Sequence, residues 1–345
     1  MKIERCRQNP ILMKNKNNSW ENLCVLNPGV IYDEKQKKFV MLYRAGGDDL
    51  KHKISIGLAE SSDGIHFERC SDNPVLIPES ELADGECLED VRIVQIEDIF
   101  YIVYAGRFRA IGKYWLPREE YIKLYGEPKQ QKGAWPLFVK KNHTVSYLAA
   151  TADFREFIRL GRITDSRYDD RDVFLFPEKV EDKFVRISRP KCRPDETCKK
   201  PSIWITFSDD ILEWGKPELL MQGEEWWETE RIGGAAPPIK GKNGWIMLYH
   251  GVERRADGKE IYRVGAVLLD LKDPSVILAR TKEPIMTPEE DYERKGLFGE
   301  CVFPTANIVK DGMVYIYYGC ADQSVGVATV RLNELEEYIL KWKKA

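Results

Sequence analysis

Residues Arg231 to His250 read RIGGAAPPIKGKNGWIMLYH. Two apolar runs, Ala235 to Ile239 and Trp245 to Tyr249, flank the polar segment Lys240-Gly241-Lys242-Asn243-Gly244. Asn-Gly between apolar runs signals a tight turn, because both residues tolerate the positive φ angles that such turns use. The segment is therefore predicted to be a β-hairpin. Arg231 and, when protonated, His250 bracket it with cations, so its far end is either a solvated strand end or one side of an anion site.

The same pattern recurs four times. Asn27 to Gly47, Leu88 to Arg107, Arg171 to Pro190 and Glu300 to Gly319 each give strand, polar turn, strand. The turns fall at Glu97-Asp98 in the second and Asp311-Gly312 in the last, and each second strand is rich in aromatic and β-branched residues. Further strand-like runs follow each hairpin, among them ISIGLAESSDG, SYLAATADF, SIWITFS, YRVGAVLLDL and VGVATVRL. Five units of about four strands, spaced by roughly sixty to eighty residues, predict an all-β fold, a five-bladed β-propeller. A β-sandwich with accidental similarity between hairpins is the alternative. Small residues in the third strands (Gly57, Ala149, Ala150, Gly265, Ala266, Gly326, Ala328) suit close packing around a central axis.

Two segments fall outside the pattern. Residues 108 to 145 form an insertion in the second unit, carrying the helix-like REEYIKLYG and the aromatics Trp115, Tyr121 and Trp135. Such long insertions are commonly lids or interfaces, and this one is a candidate homo-oligomer contact. The tail, about 333 to 344, reads as a helix with Asn333 as N-cap and lysines in its last turn. The whole chain, 1 to 345, is expected to be one catalytic propeller domain.

With Lys+Arg 53 against Asp+Glu 56, the net charge of -3 leaves no basic stripe for nucleic acid. No apolar run approaches a bilayer-spanning length, so no membrane partner is expected, and the N-terminus has no secretory core. Eight cysteines without that signal fit reduced thiols in the cytoplasm. Cys192 and Cys198 form the closest pair, but no histidine or second pair accompanies them, so no metal site is read.

Equivalent strand ends of a propeller gather at one mouth of its axis. The ends of the second strands supply Arg44, Arg107, Arg189, His250 and Asp322; the starts of the first strands supply Asn27, Asp90, Arg171, Arg231 and Glu300. Arginines at strand ends are often only solvated. Their recurrence beside carboxylates at the same unit positions instead points to a site for a polyol and an anion, since arginine binds phosphate bidentately. A carboxylic acid beside a glycosidic oxygen can protonate a leaving group. Inverting hydrolysis needs a second carboxylate to activate water, whereas phosphorolysis brings its own anionic nucleophile.

NPGV at Asn27, LEDVR around Asp90, the segment ending SRP at Arg189-Pro190, GGAAPPIKGKNGWIMLYHGV, VGAVLLDLKDP and FPTANIVKDGMVYIYYGCAD together resemble glycoside hydrolase family 130, the β-mannoside phosphorylases. The resemblance covers essentially the whole chain. It implies a five-bladed propeller and Asp90 as catalytic acid, passing its proton through the 3-hydroxyl of the mannosyl unit. It also implies phosphate binding by Arg171, Arg189, Arg231, His250 and Tyr262, and mannosyl binding by Asn27, Arg44 and Asp322. Attack of phosphate would give α-mannose 1-phosphate with inversion, reversibly, with no metal or organic cofactor and inorganic phosphate as co-substrate.

Three positions depart from many members: Val91 where proline follows the acid, Arg231 where lysine stands, and Asp172 where several have asparagine. An acidic residue there would weaken anion binding if it faced the site. The departures resemble the subgroup acting on β-1,2-mannobiose or β-1,2-oligomannosides. The competing readings are a β-mannosidase on the same fold, with Glu230 or Glu300 as base, and a non-catalytic sugar-binding propeller, in which Asp90 would have no task.

Overall fold

The computed structural model describes residues 1–48, 53–79, 85–107, 119, 143–191 and 200–343. The predicted insertion, apart from its last residues and Glu119, and the Cys192/Cys198 pair lie outside the described residues; Val145 already belongs to a strand.

Five antiparallel sheets make a five-bladed β-propeller. Blade 1 is β2 (Cys24–Asp33), β3 (Lys38–Gly46), β4 (Ser55–Ser61) and β5 (Glu68–Arg69). Blade 2 is β6 (Cys87–Ile96), β7 (Ile99–Arg107), β8 (Val145–Thr151) and β9 (Ile158–Arg162). Blade 3 is β10 (Asp170–Leu175), β11 (Phe184–Pro190), β12 (Ile203–Ser208) and β13 (Glu218–Met221). Blade 4 is β14 (Arg231–Gly234) and the short β15 (Ile239–Lys240), both on β16 (Trp245–Arg254), then β17 (Glu260–Leu269) and β18 (Ile277–Arg280). Blade 5 is β19 (Val302–Lys310), β20 (Met313–Cys320) and β21 (Ser324–Arg331). Its outermost strand is β1 (Glu4–Arg5), from the other end of the chain.

Each sheet is apolar on both faces, so no blade can bury its surface alone. The described core divides into five clusters, each shared by two neighbouring blades. Val40, Leu42, Ile102 and Tyr104 join blades 1 and 2, and Val103, Leu148, Val173 and Leu175 join blades 2 and 3. Ile187, Ile205, Trp245 and Tyr249 join 3 and 4; Leu248, Ala266, Val302 and Ile316 join 4 and 5; Met41, Tyr43, Tyr317 and Val327 close the ring from 1 to 5. Burial of this kind is the main stabilising term.

One polar device repeats in three blades. Tyr43, Tyr249 and Tyr318 lie directly across from Gly57, Gly265 and Gly326. A Cβ on any of these glycines would meet the tyrosine ring within 2.8 Å. The third-strand glycines thus make room for a second-strand tyrosine, a more specific task than packing round the axis. Each tyrosine hydroxyl donates to a buried glutamate: Glu21 at 3.1 Å, Glu228 at 2.8 Å, Glu293 at 2.8 Å. Each glutamate also holds an arginine of the outermost strand: Arg69 at 2.9 Å, Arg280 at 2.5 Å, Arg5 at 2.7 Å. Arg5 thus repeats in blade 5 what Arg69 and Arg280 do in theirs, which marks β1 as the missing fourth strand. α1 (Asp291–Arg294) carries Glu293 to that clasp.

Two local expectations are corrected. The first strand of the opening hairpin is β14, and Ala235 to Pro238 interrupt it, because Pro237 and Pro238 have no N–H to give the ladder. Its Asn243-Gly244 turn shows no positive φ. Asn243 instead donates its backbone N–H to the Glu336 carboxylate at 2.7 Å, on α2 (Leu332–Leu340). That helix, predicted at 333 to 344, begins after Arg331 as N-cap and ends before the lysines, Lys341 being its C-cap.

Candidate active site

A β-bulge in the innermost strand builds the site in each of the first three blades. The register slips between Leu26 and Gly29, between Glu89 and Arg92, and between Arg171 and Phe174. At each slip a short polar residue adopts left-handed backbone: Asn27 (φ 46), Asp90 (φ 53) and Asp172 (φ 55). Asparagine and aspartate tolerate this region better than other side-chain-bearing residues, and a bulge re-aims its side chain. The equivalent positions are therefore Asn27, Asp90 and Asp172, one residue on from Arg171.

The three converge on a cavity of about 190 Å³. Of the nine predicted site residues, Asn27, Arg44, Asp90, Arg171, Arg189, Tyr262 and Asp322 line it. So do Glu89, Asp172, Phe298, Cys301 and Phe303, which were not predicted as site residues, and Arg107, which was expected at the mouth but given no role. Asp90 accepts hydrogen bonds from Asn27 Nδ2 at 2.7 Å and Arg44 Nη1 at 3.0 Å. Gly319 admits Asn27: a Cβ there would stand 1.9 Å from the Asn27 side-chain oxygen.

Every arginine on the wall already has a carboxylate partner. Arg44 reaches Glu89 at 3.2 Å as well as Asp90, and Arg107 lies 3.8 Å from Glu89. Burial pushes the Glu89 carboxyl up, but Arg107, Arg44 and Arg171 outweigh it and hold it at about 2. Arg171 pairs with Asp169 at 3.0 Å and donates to Thr144 Oγ1 at 2.6 Å. Arg189 grips Asp172 with Nε at 2.7 Å and Nη2 at 2.6 Å. Burial raises the Asp172 carboxyl, yet the Arg189 and Arg92 guanidiniums bring it well below the ordinary range, so it is ionised.

Arg231 and His250 are not among the cavity-lining residues. Arg231 is ion-paired with Glu260 and donates to the Tyr262 hydroxyl from behind that ring. Burial, only partly offset by Arg231, raises the Tyr262 phenol to about 12. His250 is fully buried between Phe303 and Tyr262, with Nε2 3.5 Å from Asp172. Burial lowers its pKa to about 3, helped by Arg189, Arg231 and Arg92 against Asp172. It is a neutral ring and not the second cation of the opening hairpin.

This has a measurable consequence. The unfolded chain takes up a proton on His250 below about pH 6.5 that the folded chain refuses. The stability due to this group is complete above pH 6.5 and falls as the pH drops toward 3, by up to about 1.4 kcal/mol per pH unit. Urea unfolding at pH 7 and pH 5 should show His250→Gln losing about 2 kcal/mol less than the wild type over that interval. Equal losses would mean that the ring titrates normally in the folded protein. Glu89 adds a second loss at lower pH, between its ordinary value of 4.5 and about 2.

Arg92, which sequence reasoning passed over, ties the floor together. Its guanidinium donates to the Ala235 carbonyl of blade 4 at 3.0 Å and to the Asp90 carbonyl at 2.7 Å. It also stands 3.8 Å from Asp172 and over the Phe303 ring. The two alternative bases are elsewhere: Glu300 is paired with Arg255, and Glu230 lies 3.4 Å from Arg254, neither on the cavity wall. Among the described residues no cluster could hold a metal ion, and no helix is long and apolar enough to cross a membrane.

The model of glycoside hydrolase family 130, described as beta-1,4-mannooligosaccharide phosphorylase, matches residues 3–115 and 139–341. The chain is 36% identical to a 1,2-beta-oligomannan phosphorylase of Thermoanaerobacter sp., over 97% of this chain and 99% of the relative. It is 34% identical to a beta-1,2-mannobiose phosphorylase of the same organism, over 97% and 99%. Among solved structures it resembles the beta-1,2-mannobiose phosphorylase of Listeria innocua in complex with beta-1,2-mannobiose, with TM-score 0.76, 25% identity and coverage of 98% and 99%.

Proposed function

Since the chain belongs to glycoside hydrolase family 130, we propose that it is an inverting phosphorylase of β-1,2-linked mannobiose or oligomannosides. It would release α-mannose 1-phosphate and the shortened sugar, reversibly. The observation that carries this reading is the make-up of the cavity: a carboxyl on one bulge, Asp90, lines it together with Arg171 and Arg189. The β-1,2 linkage rests on the relatives, which are phosphorylases of β-1,2-mannosides.

In this reading Asn27, Arg44 and Asp322 hold the mannosyl unit, and Asp90 supplies the proton that the departing sugar oxygen gains, relayed through the 3-hydroxyl. Phosphate, gathered by Arg171 and Arg189, attacks the anomeric carbon from the opposite face. That carbon–oxygen bond forms as the glycosidic bond breaks, which inverts the centre. Arg231 orients Tyr262, and His250 backs the same wall as a neutral ring. Hydrolysis would need a carboxylate free to activate water. Glu89 and Asp172 are held by arginines, and Glu230 and Glu300 lie off the wall. No metal or organic cofactor enters the scheme. Among the described residues no two cysteines form a disulfide, which suits a cytoplasmic setting.

The test is incubation of β-1,2-mannobiose with and without phosphate. Mannose 1-phosphate should form only with phosphate; release of mannose at full rate without it would sink the proposal in favour of a mannosidase. Arg171→Ala removes charge-assisted hydrogen bonds from one reactant only. It should raise KM for phosphate roughly 10- to 100-fold and shift KM for the disaccharide much less. The reverse split would reassign Arg171 to the sugar.

A further inference from the structure

We propose that Asp172 is a built-in counter-ion whose negative charge, held on the cavity wall by Arg189, repels phosphate and thereby holds down the affinity of the site for it. This rests on the phosphorylase reading above and adds to it a residue that sets the strength of one substrate's binding.

Asp172 sits on the bulge of β10 with φ 55, the same position that delivers Asn27 and Asp90 to the axis. Its carboxylate therefore reaches the cavity wall while remaining only 2% exposed. Arg189 Nε and Nη2 clasp it side-on at 2.7 and 2.6 Å. Arg92 stands at 3.8 Å, and the Nε2 of His250 at 3.5 Å. A Cβ on Gly233 would fall 2.3 Å from the carboxylate and 2.4 Å from the His250 ring, so the fold keeps a glycine there for this approach.

Because His250 is neutral, Asp172 is balanced by arginines alone. One edge of Arg189, the pair of N–H groups best shaped for a bidentate anion, is already taken. An incoming phosphate meets the other edge of Arg189 and a full negative charge close behind it. In a buried site that repulsion is weakly screened. Asp172 thus has two opposed effects: it keeps buried arginines compensated when the site is empty, and it competes with the anion they would otherwise bind.

Asp172→Asn keeps the size and one acceptor while removing the charge. It should lower both KM and the calorimetric dissociation constant for inorganic phosphate at least tenfold, with KM for β-1,2-mannobiose within about threefold of wild type. Weaker or unchanged phosphate binding would overturn the proposal and leave Asp172 as a scaffold for Arg189. Since removal of a buried charge can impair folding, a second comparison uses Arg189→Gln, which strands Asp172 in the wall. Adding Asp172→Asn to that variant should tighten phosphate binding at least tenfold relative to Arg189→Gln alone. No gain would overturn the proposal by a second route. If wild-type turnover proves independent of phosphate, the phosphorylase reading falls together with this one. If turnover requires phosphate and the variants gain nothing, only the counter-ion role falls.

Discussion

Asp90→Asn should lower kcat for phosphorolysis roughly 10³-fold, since a positioned general acid contributes about 10² to 10⁴. The substitution is nearly isosteric. The asparagine oxygen can still accept from Asn27 Nδ2 and Arg44 Nη1, which now reach Asp90 at 2.7 and 3.0 Å. Arg44 also keeps Glu89. What disappears is the proton, so the loss should fall on kcat while the two Michaelis constants move by only a few-fold. Initial rates of mannose 1-phosphate formation, together with a thermal unfolding curve within a few degrees of wild type, would check this. A loss below tenfold in a correctly folded variant would remove Asp90 from the proton transfer.

Arg92→Ala should destabilise the protein by about 3 to 5 kcal/mol, the range for breaking a buried charged network by removing one member. Two carbonyls, of Ala235 and Asp90, lose their donor, and the first is buried away from water. Asp172 loses one of its two arginines. Chemical denaturation would measure the cost. As a control, Arg167 makes a two-point pair with Asp165 on the surface, and its replacement by alanine should cost under about 1 kcal/mol. Because Arg92 donates to the backbone of the bulge that aims Asp90, kcat should fall as well, even where the variant is fully folded. Equal stability losses at Arg92 and Arg167 would mean that the buried network carries no net energy.

The bulged strands explain why some site residues were legible and others were not. Asn27, Asp90, Arg44, Arg189 and Asp322 stand at strand ends that repeat from unit to unit, so periodic reading puts them at one mouth, and all of them line the cavity. The same reading matched Arg171 with Asp90, one residue before the true equivalent, Asp172. A bulge adds a residue to one strand without any compositional mark, and only the partner strand reveals the slip. Glu89, next to the acid, is hidden for a related reason: its value at about 2 depends on Arg107, Arg44 and Arg171, drawn from three different strands.

The number of blades, their hairpins and the set of charged residues drawn to one end of the axis were all legible in the sequence. These depend on local alternation, turn chemistry and repetition, which neighbouring residues encode. How the ring closes and which groups stay charged emerge only once the blades are packed together. β1 is two residues long and pairs with a strand more than three hundred positions away, so only the Arg5–Glu293–Tyr318 clasp, seen beside its counterparts, identifies it. His250 resembled a cation in sequence and is neutral because burial outweighs the nearby carboxylate. Charge state and register are properties of the surroundings that folding supplies, and around His250 those come from blades 2, 3 and 5 as well as its own.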